Sequence, residues 1–345
     1  MSQRMIAVCI AGPLALILGG IALSVPLPYA SYSPGPTFDV LGKDSDEAEL
    51  VQVDGHKAYY DEGQIRFTTV VASSYGDKLS LGDALARWLD PDKAVVPYEV
   101  VHPPARSAEE EEAQGAIQMT TSQDVAKAVA LTELGYDIPS AVQVAYVDPK
   151  GPAYDKLLVR DIFKEVDGEP VTKGEEIVAA VRKHEDLTNV ELKIQRGKDE
   201  LMVRVKPEID DGTPRVGVTL GMGYEFPFEI RLRVDQTVGG PSAGLMFALA
   251  IYDTLTPGSL TGGATIAGTG ELLPDGSVGP IGGVEQKIAG AQEAGAQLFF
   301  VPKDNCADVT DLDTDLRLVK ATTMHEARLA LEKWVEDPDA ELPTC

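Results

Sequence analysis

The chain has 345 residues, 44% hydrophobic and 25% charged, with a formal net charge of −25. That length leaves room for two domains, each with its own core. The acidic excess argues against nucleic acid as a partner, because a polyphosphate needs a basic face; solubility outside the cell is the simpler explanation.

Met5 to Val25 carries no charge and is long enough to cross about 30 Å of hydrocarbon as a helix. Arg4 precedes it and no basic residue follows until Lys43. This asymmetry predicts a single-pass, uncleaved anchor over residues 1–27, with a cytoplasmic N-terminus and the bulk of the chain extracellular at the cell membrane. The alternative is a cleaved signal peptide, but Pro28-Tyr29-Ala30 is a poor small-x-small site. Pro26 to Pro36 reads as an extended stalk. Short alternating runs from Leu50 to Val71 predict strands, with a turn at Asp54-Gly55. Leu79 to Leu89 has helical spacing and stops at Pro91. Val101 to Glu112 reads as a solvated loop. A second helix is expected from Met119 to Leu134, with Gly135 as its stop.

Residues 136–208 read as a separate unit. Strand-like Ala141 to Val147 leads to Gly151-Pro152-Ala153, which opens a short helix. Asp161 to Val166 and Asp167-Gly168 give a strand and a turn. A helix over Glu175–Lys183 precedes a hairpin around Arg196-Gly197-Lys198. Beyond it, Gly221 to Pro227 reads as a loop lining a substrate groove. Ala243 to Tyr252 and Val284 to Ala294 are helix-compatible. Leu298 to Val301 is a buried strand, and His325 to Trp334 a final helix. The four histidines lack ligand spacing, so no metal site and no cofactor are expected. Cys306 and Cys345 lie in polar contexts, where a disulfide would pin the tail, residues 336–345, to the preceding domain; two free thiols are the alternative.

The chemistry concentrates in Gly240-Pro241-Ser242-Ala243-Gly244 and Gly282-Gly283-Val284-Glu285-Gln286-Lys287. A serine hydroxyl needs a base, and a lysine serves if burial lowers its pKa. Lys287 falls in the first turn of a helix, where apolar neighbours and the positive helix end disfavour the ammonium. Ser242 at another helix start is surrounded by free N–H groups, so Gly240, Ser242 and Ala243 are candidate oxyanion donors. The first run also fits the Gly-x-Ser-x-Gly elbow of α/β-hydrolases. However, the strand-like Glu229 to Val234 stops well short of the serine, and His325 is the only histidine after it.

Pro241-Ser242-Ala243-Gly244, then Thr269-Gly270-Glu271, then Gly282-Gly283 with Lys287, resemble in order the proteolytic domain of Lon proteases. The resemblance implies Ser242 as nucleophile, Lys287 as general base and Thr269 as the hydroxyl that orients the amine. Many Lon enzymes carry an acidic residue three before the serine; here it is Gly239. Residues 136–208 are similar to bacterial PDZ domains, although the glycine of their Gly-Asp step is Arg160. PDZ domains bind chain ends by strand addition, and Gly135, Tyr136, Asp137 and Ile138 are the candidate peptide-binding loop.

Over nearly its whole length the chain resembles the membrane-anchored, PDZ-containing Lon-like proteases of Gram-positive bacteria, which implies an α+β fold: a Lon-type proteolytic domain at 209–335 and a PDZ domain, a small β-sandwich or barrel, preceded by the N-terminal transmembrane helix expected from Met5 to Val25. Phe67 to Val70 and Met119 to Ala130 also resemble the start of a Lon-type domain, so 28–135 is expected to be its first part, with the PDZ unit inserted. No Gly-x-x-x-x-Gly-Lys-Ser/Thr run occurs in the sequence. The expected activity is an ATP-independent, membrane-anchored serine endopeptidase that recognises protein or peptide substrates with PDZ assistance. The alternative is a surface-tethered PDZ adaptor with an idle Lon-like domain. Lon-type domains commonly form hexameric rings, so a homo-hexamer is the assembly the resemblance implies.

Overall fold

In the computed structural model, residues 3–44, 46–104, 106–235 and 238–345 are described, without the side chains of residues 3, 4 and 6–9. A long helix α1 (Gln3–Ser24) leads into β1 (Tyr29–Asp39), β2 (Val51–Asp54) and β3 (Gln64–Ala72). Helix α2 (Leu81–Trp88), β4 (Ala94–Pro97) and α3 (Ala108–Glu133) follow. The middle of the chain gives β5 (Ser140–Val147), β6 (Ile162–Val166), α4 (Gly174–Arg182), β7 (Val190–Arg196) and β8 (Asp199–Val205). Then come β9 (Val218–Tyr224), β10 (Glu229–Leu232), α5 (Gly244–Leu255), β11 (Thr265–Gly268) and α6 (Val284–Glu293). The last elements are β12 (Leu298–Pro302), β13 (Arg317–Ala321) and α7 (Met324–Glu336).

One sheet has the order β13-β12-β11-β3-β1-β4. β13, β12, β11 and β3 run parallel, and β1 is antiparallel to both its neighbours. Parallel strands covered on both faces read as unbroken apolar runs, as Leu298-Phe299-Phe300-Val301 does. Leu298 and Phe300 join the core under α5, whereas Phe299 and Val301 join a second cluster under α6. The first cluster draws on Val40 to Leu131 and again on Tyr224 to Leu342, so these two stretches share one core. A second sheet, β9-β5-β6-β7-β8, encloses its own core from Val144 to Val216.

Three expectations need correcting. Residues 26–36 are not a free stalk, because Tyr29–Asp39 forms β1 inside the first sheet. Pro34 is tolerated there because the register shifts between Pro34 and Thr37, where a ladder bond is lost in any case. Val101 to Glu112 is not one loop: Ser107 caps α3 in a capping box with Glu110, and the acidic run lies in the first turn. Carboxylates there favour the positive helix end. Gly221 to Pro227 is not the expected groove-lining loop, because Val218–Tyr224 completes the second sheet as β9. The predicted run Met5 to Val25 largely coincides with α1; among the described residues no helix is long and apolar enough to cross a membrane. Part of that expectation, including Arg4 and residues 6–9, lies outside the described side chains.

Candidate active site

The loop before α5 turns sharply at Gly240, whose φ of +93° suits glycine. It delivers Ser242 just ahead of a helix in which Gly244 to Ile251 are all buried. Two donors hold the Ser242 carbonyl: Gly270 N–H at 2.8 Å and Thr269 Oγ1 at 3.1 Å. On the far side, Gly283 enters α6 in a left-handed conformation, φ +67°. Its bare α-carbon lets the backbone approach Val70, since a Cβ there would meet Val70 Cγ1 at 2.8 Å. That approach brings Lys287, in the first turn of α6, over Ser242.

Lys287 Nζ lies 2.7 Å from Ser242 Oγ and 3.0 Å from Thr269 Oγ1. Lys287 is 3% exposed and Thr269 1%. Burial lowers the Lys287 pKa to about 7, with no carboxylate among the causes. The Thr269 hydroxyl proton is committed to the Ser242 carbonyl, so its oxygen can only accept from Lys287. One amine hydrogen is thereby fixed, which aims the nitrogen lone pair at Ser242. The expected trio of Ser242, Thr269 and Lys287 is thus assembled in one place.

The oxyanion candidates divide. Gly240 N–H already donates to Gly115 O at 3.2 Å, so it is withdrawn from that role. Among the described residues, the N–H groups of Ser242 and Ala243 find no acceptor, as befits the start of a helix. Gly239 has a steric cause. A Cβ at 239 would lie 3.3 Å from the Gly115 Cα, so an acidic side chain in that place would have to push α3 away.

Ser242 and Lys287 sit on a cavity of about 530 Å³ lined by Thr68 to Val71, Met119, Val238 to Ala243 and Pro280 to Gly282. β11 pairs with β3 only through Phe67, whereas β1 continues on the other side to Ala72. Beyond Phe67 the edge of β3 that β11 leaves free faces this cavity. Sequence reasoning missed the contribution of Met119 and of this edge, and no local pattern marks them. Among the described residues no cluster of His, Cys, Asp and Glu is placed to hold a metal.

A second cavity, of about 660 Å³, lies between α4 and β9. Ile177 and Val181 line it from the helix, Val218 and Leu220 from the strand, and Arg215 to Gly217 close one end. β9 is an edge strand, open to strand addition. Gly135, Tyr136, Asp137 and Ile138 are elsewhere, which corrects that expectation. Gly135, at φ +88°, ends α3, and Tyr136 and Ile138 fold back on the first core. Tyr136 meets His56 and Phe228 there, while Asp137 is exposed. The groove-forming loop follows the unit's last hairpin instead of preceding its first strand.

Cys306 and Cys345 form a disulfide. The tail it holds buries Leu342 in the first core, and Lys320 N–H donates to Pro343 O at 2.9 Å.

Residues 236–330 match the family model of the Lon protease (S16) C-terminal proteolytic domain, and residues 116–206 match that of the PDZ domain. Lon protease 1 of Sorangium cellulosum is 41% identical over 78 residues, which is 23% of this chain and 9% of that protein. Lon protease 1 of Bacillus subtilis is 38% identical over 103 residues, 28% of this chain and 13% of that protein. The chain therefore spans roughly a tenth of the length of the curated relatives it matches. A crystal structure of the PDZ domain of the SdrC-like protein from Listeria monocytogenes is 26% identical, covering 23% of this chain and 86% of that one, with a TM-score of 0.22. The chain thus contains a Lon-type serine peptidase domain, and Ser242, Thr269 and Lys287 lie within it.

Proposed function

We propose that the chain is an ATP-independent serine endopeptidase that cleaves extracytoplasmic or membrane-associated polypeptides. The carrying observation is the buried amine of Lys287, 2.7 Å from the Ser242 hydroxyl at the floor of an open groove. An extended substrate adds to the free edge of β3 beyond Phe67, which presents a scissile carbonyl to Ser242. The neutral amine accepts the hydroxyl proton as Oγ attacks, then returns it to the leaving amine. The N–H groups of Ser242 and Ala243 receive the developing oxyanion. Water repeats the cycle on the acyl-enzyme.

Two features support recognition and placement. The groove between α4 and β9 fits an extended peptide, so the PDZ unit captures substrate segments before cleavage. The charge-free run Met5 to Val25 anchors the chain, with the catalytic part outside. Beside α1, helix α2 exposes Trp88 and Leu89, at 71% and 75%, as a bilayer surface would favour. The resemblance to Lon-type domains favours a hexameric ring.

Incubation of the chain with unfolded casein tests the reading. Ser242→Ala and Lys287→Ala should each lose on the order of a thousandfold or more in turnover while remaining folded. Cleavage by either variant at the wild-type rate would refute the dyad, and absence of cleavage by the wild type at every pH would leave the adaptor.

A further inference from the structure

A buried ionic cluster joins the PDZ unit to the helix that supports the nucleophile. Asp124 and Lys127, on α3, are 1% and 4% exposed, and their side chains meet at 3.0 Å. Two groups from the PDZ unit complete the cluster. Gln143 Nε2 of β5 donates to Asp124 at 2.9 Å, and Arg160 Nε donates to Asp124 at 2.9 Å. Arg160 Nη2 also donates to Gln123 Oε1 at 2.7 Å. Arg160 occupies a left-handed backbone, φ +74°, where a glycine would be cheaper. A side chain there carries backbone strain, and the guanidinium's hydrogen bonds to Asp124 and Gln123 offset it.

The same turns of α3 grip the loop before Ser242. Ser122 Oγ donates to Pro241 O at 3.0 Å. Gly115 O accepts from Gly240 N–H at 3.2 Å. Ser122 and Asp124 are two positions apart, so their side chains point roughly 200° apart around the helix. One face of a single turn holds the nucleophile loop, and the opposite face holds the PDZ unit. β9 repeats the link: Val218 and Leu220 line the peptide groove, whereas Tyr224 is buried in the proteolytic core.

We infer that Asp124 and Arg160 are positioning residues for Ser242, clamping the peptide-binding unit onto the turn of α3 that fixes Pro241. The clamp makes the PDZ unit a structural part of the active site as well as a recognition module. The inference rests on the protease reading above. Removing Asp124 would leave the buried Lys127 without its counter-charge and strongly destabilise the chain, so Asp124 is a poor first target, whereas loss of the partly exposed Arg160 leaves the Asp124–Lys127 pair intact. Arg160→Gly is better, because the backbone there already suits glycine.

The test measures the rate at which a small fluorophosphonate labels Ser242 in the full chain, together with kcat and KM for a peptide substrate. Arg160→Gly should label and turn over about tenfold more slowly, with KM and the pH midpoint unchanged, and Arg160→Lys should recover most of the loss. Gln123→Met, which removes only the outer acceptor of the Arg160 fork, should move both rates in the same direction by a few-fold. A folded Arg160→Gly chain, as judged by circular dichroism, that labels at the wild-type rate would overturn the clamp. Should Arg160→Gly fail to fold, wild-type labelling of Gln123→Met would overturn it equally. Failure of the wild type to turn over the peptide at any pH would instead sink the protease reading, so the two failures are separable.

Discussion

Lys287 is the residue on which the chemistry turns, and its environment has a measurable cost. Moving its pKa from 10.5 to about 7 corresponds to about 4–5 kcal/mol of differential destabilisation of the ammonium. The unfolded chain binds this proton below pH 10.5, and the folded chain only below about 7. The penalty is therefore complete below pH 7, shrinks as pH rises from 7 to 10.5, and is gone above 10.5. Lys287→Met should abolish activity yet stabilise the fold, most at or below pH 7 and least above pH 10.5; denaturant melts across pH will read this. With the neutral amine as the proposed base, kcat/KM should rise across pH 6–8 with a midpoint near 7. A profile that peaks near pH 5 would contradict lysine as the base. Thr269→Val removes the oxygen that accepts from Lys287 and the proton given to Ser242 O. It should lower kcat by about 10- to 100-fold with little change in KM, and Thr269→Ser should retain most activity.

At the scale of elements, the approach of α6 to β3 is what unites base and nucleophile. Gly283→Ala places a methyl 2.8 Å from Val70 Cγ1 on a left-handed backbone. It should cost about 1–3 kcal/mol in thermal unfolding and reduce kcat by displacing Lys287. Ser107→Ala removes one hydroxyl of a capping box at the far end of α3, and should cost only about 1 kcal/mol with little effect on turnover. The contrast separates general loss of stability from displacement of the dyad. Helix identity was readable here, because α5 and α6 follow local apolar patterns and glycine stops. The start of α3 was not, since Glu109 to Glu111 read as a solvated run until Ser107 capped it. β1 was hidden by its prolines, which persist in a strand only where its register slips.

Across the whole molecule, one core links residues 40–131 with residues 224–342, and the PDZ unit lies between them in sequence. The C-terminal tail closes this core through Leu342 and the Cys306–Cys345 disulfide. With a sequence separation of 39, the loop-entropy model gives the bridge about 4 kcal/mol at most. Reduction, or Cys345→Ser, should therefore lower the unfolding midpoint while cleavage at 25 °C persists, because neither sulfur touches the dyad. Equal melts with and without reductant would show that Lys320 and Leu342 hold the tail unaided.

The order of three short motifs pointed to the side chains proposed for the chemistry, and the structure brings them together. Nucleophile, base and orienting hydroxyl must each occupy a special local backbone, and glycines mark such places in any sequence. Tertiary structure alone decided where the open strand edge and the grooves lie. The free edge of β3 depends on β11 stopping at Gly268, and the peptide groove on β9 crossing to β5. The cluster around Asp124 needs partners 19 and 36 positions away. Contacts of that range are set by sheet register and helix packing, which leave no periodic trace along the chain.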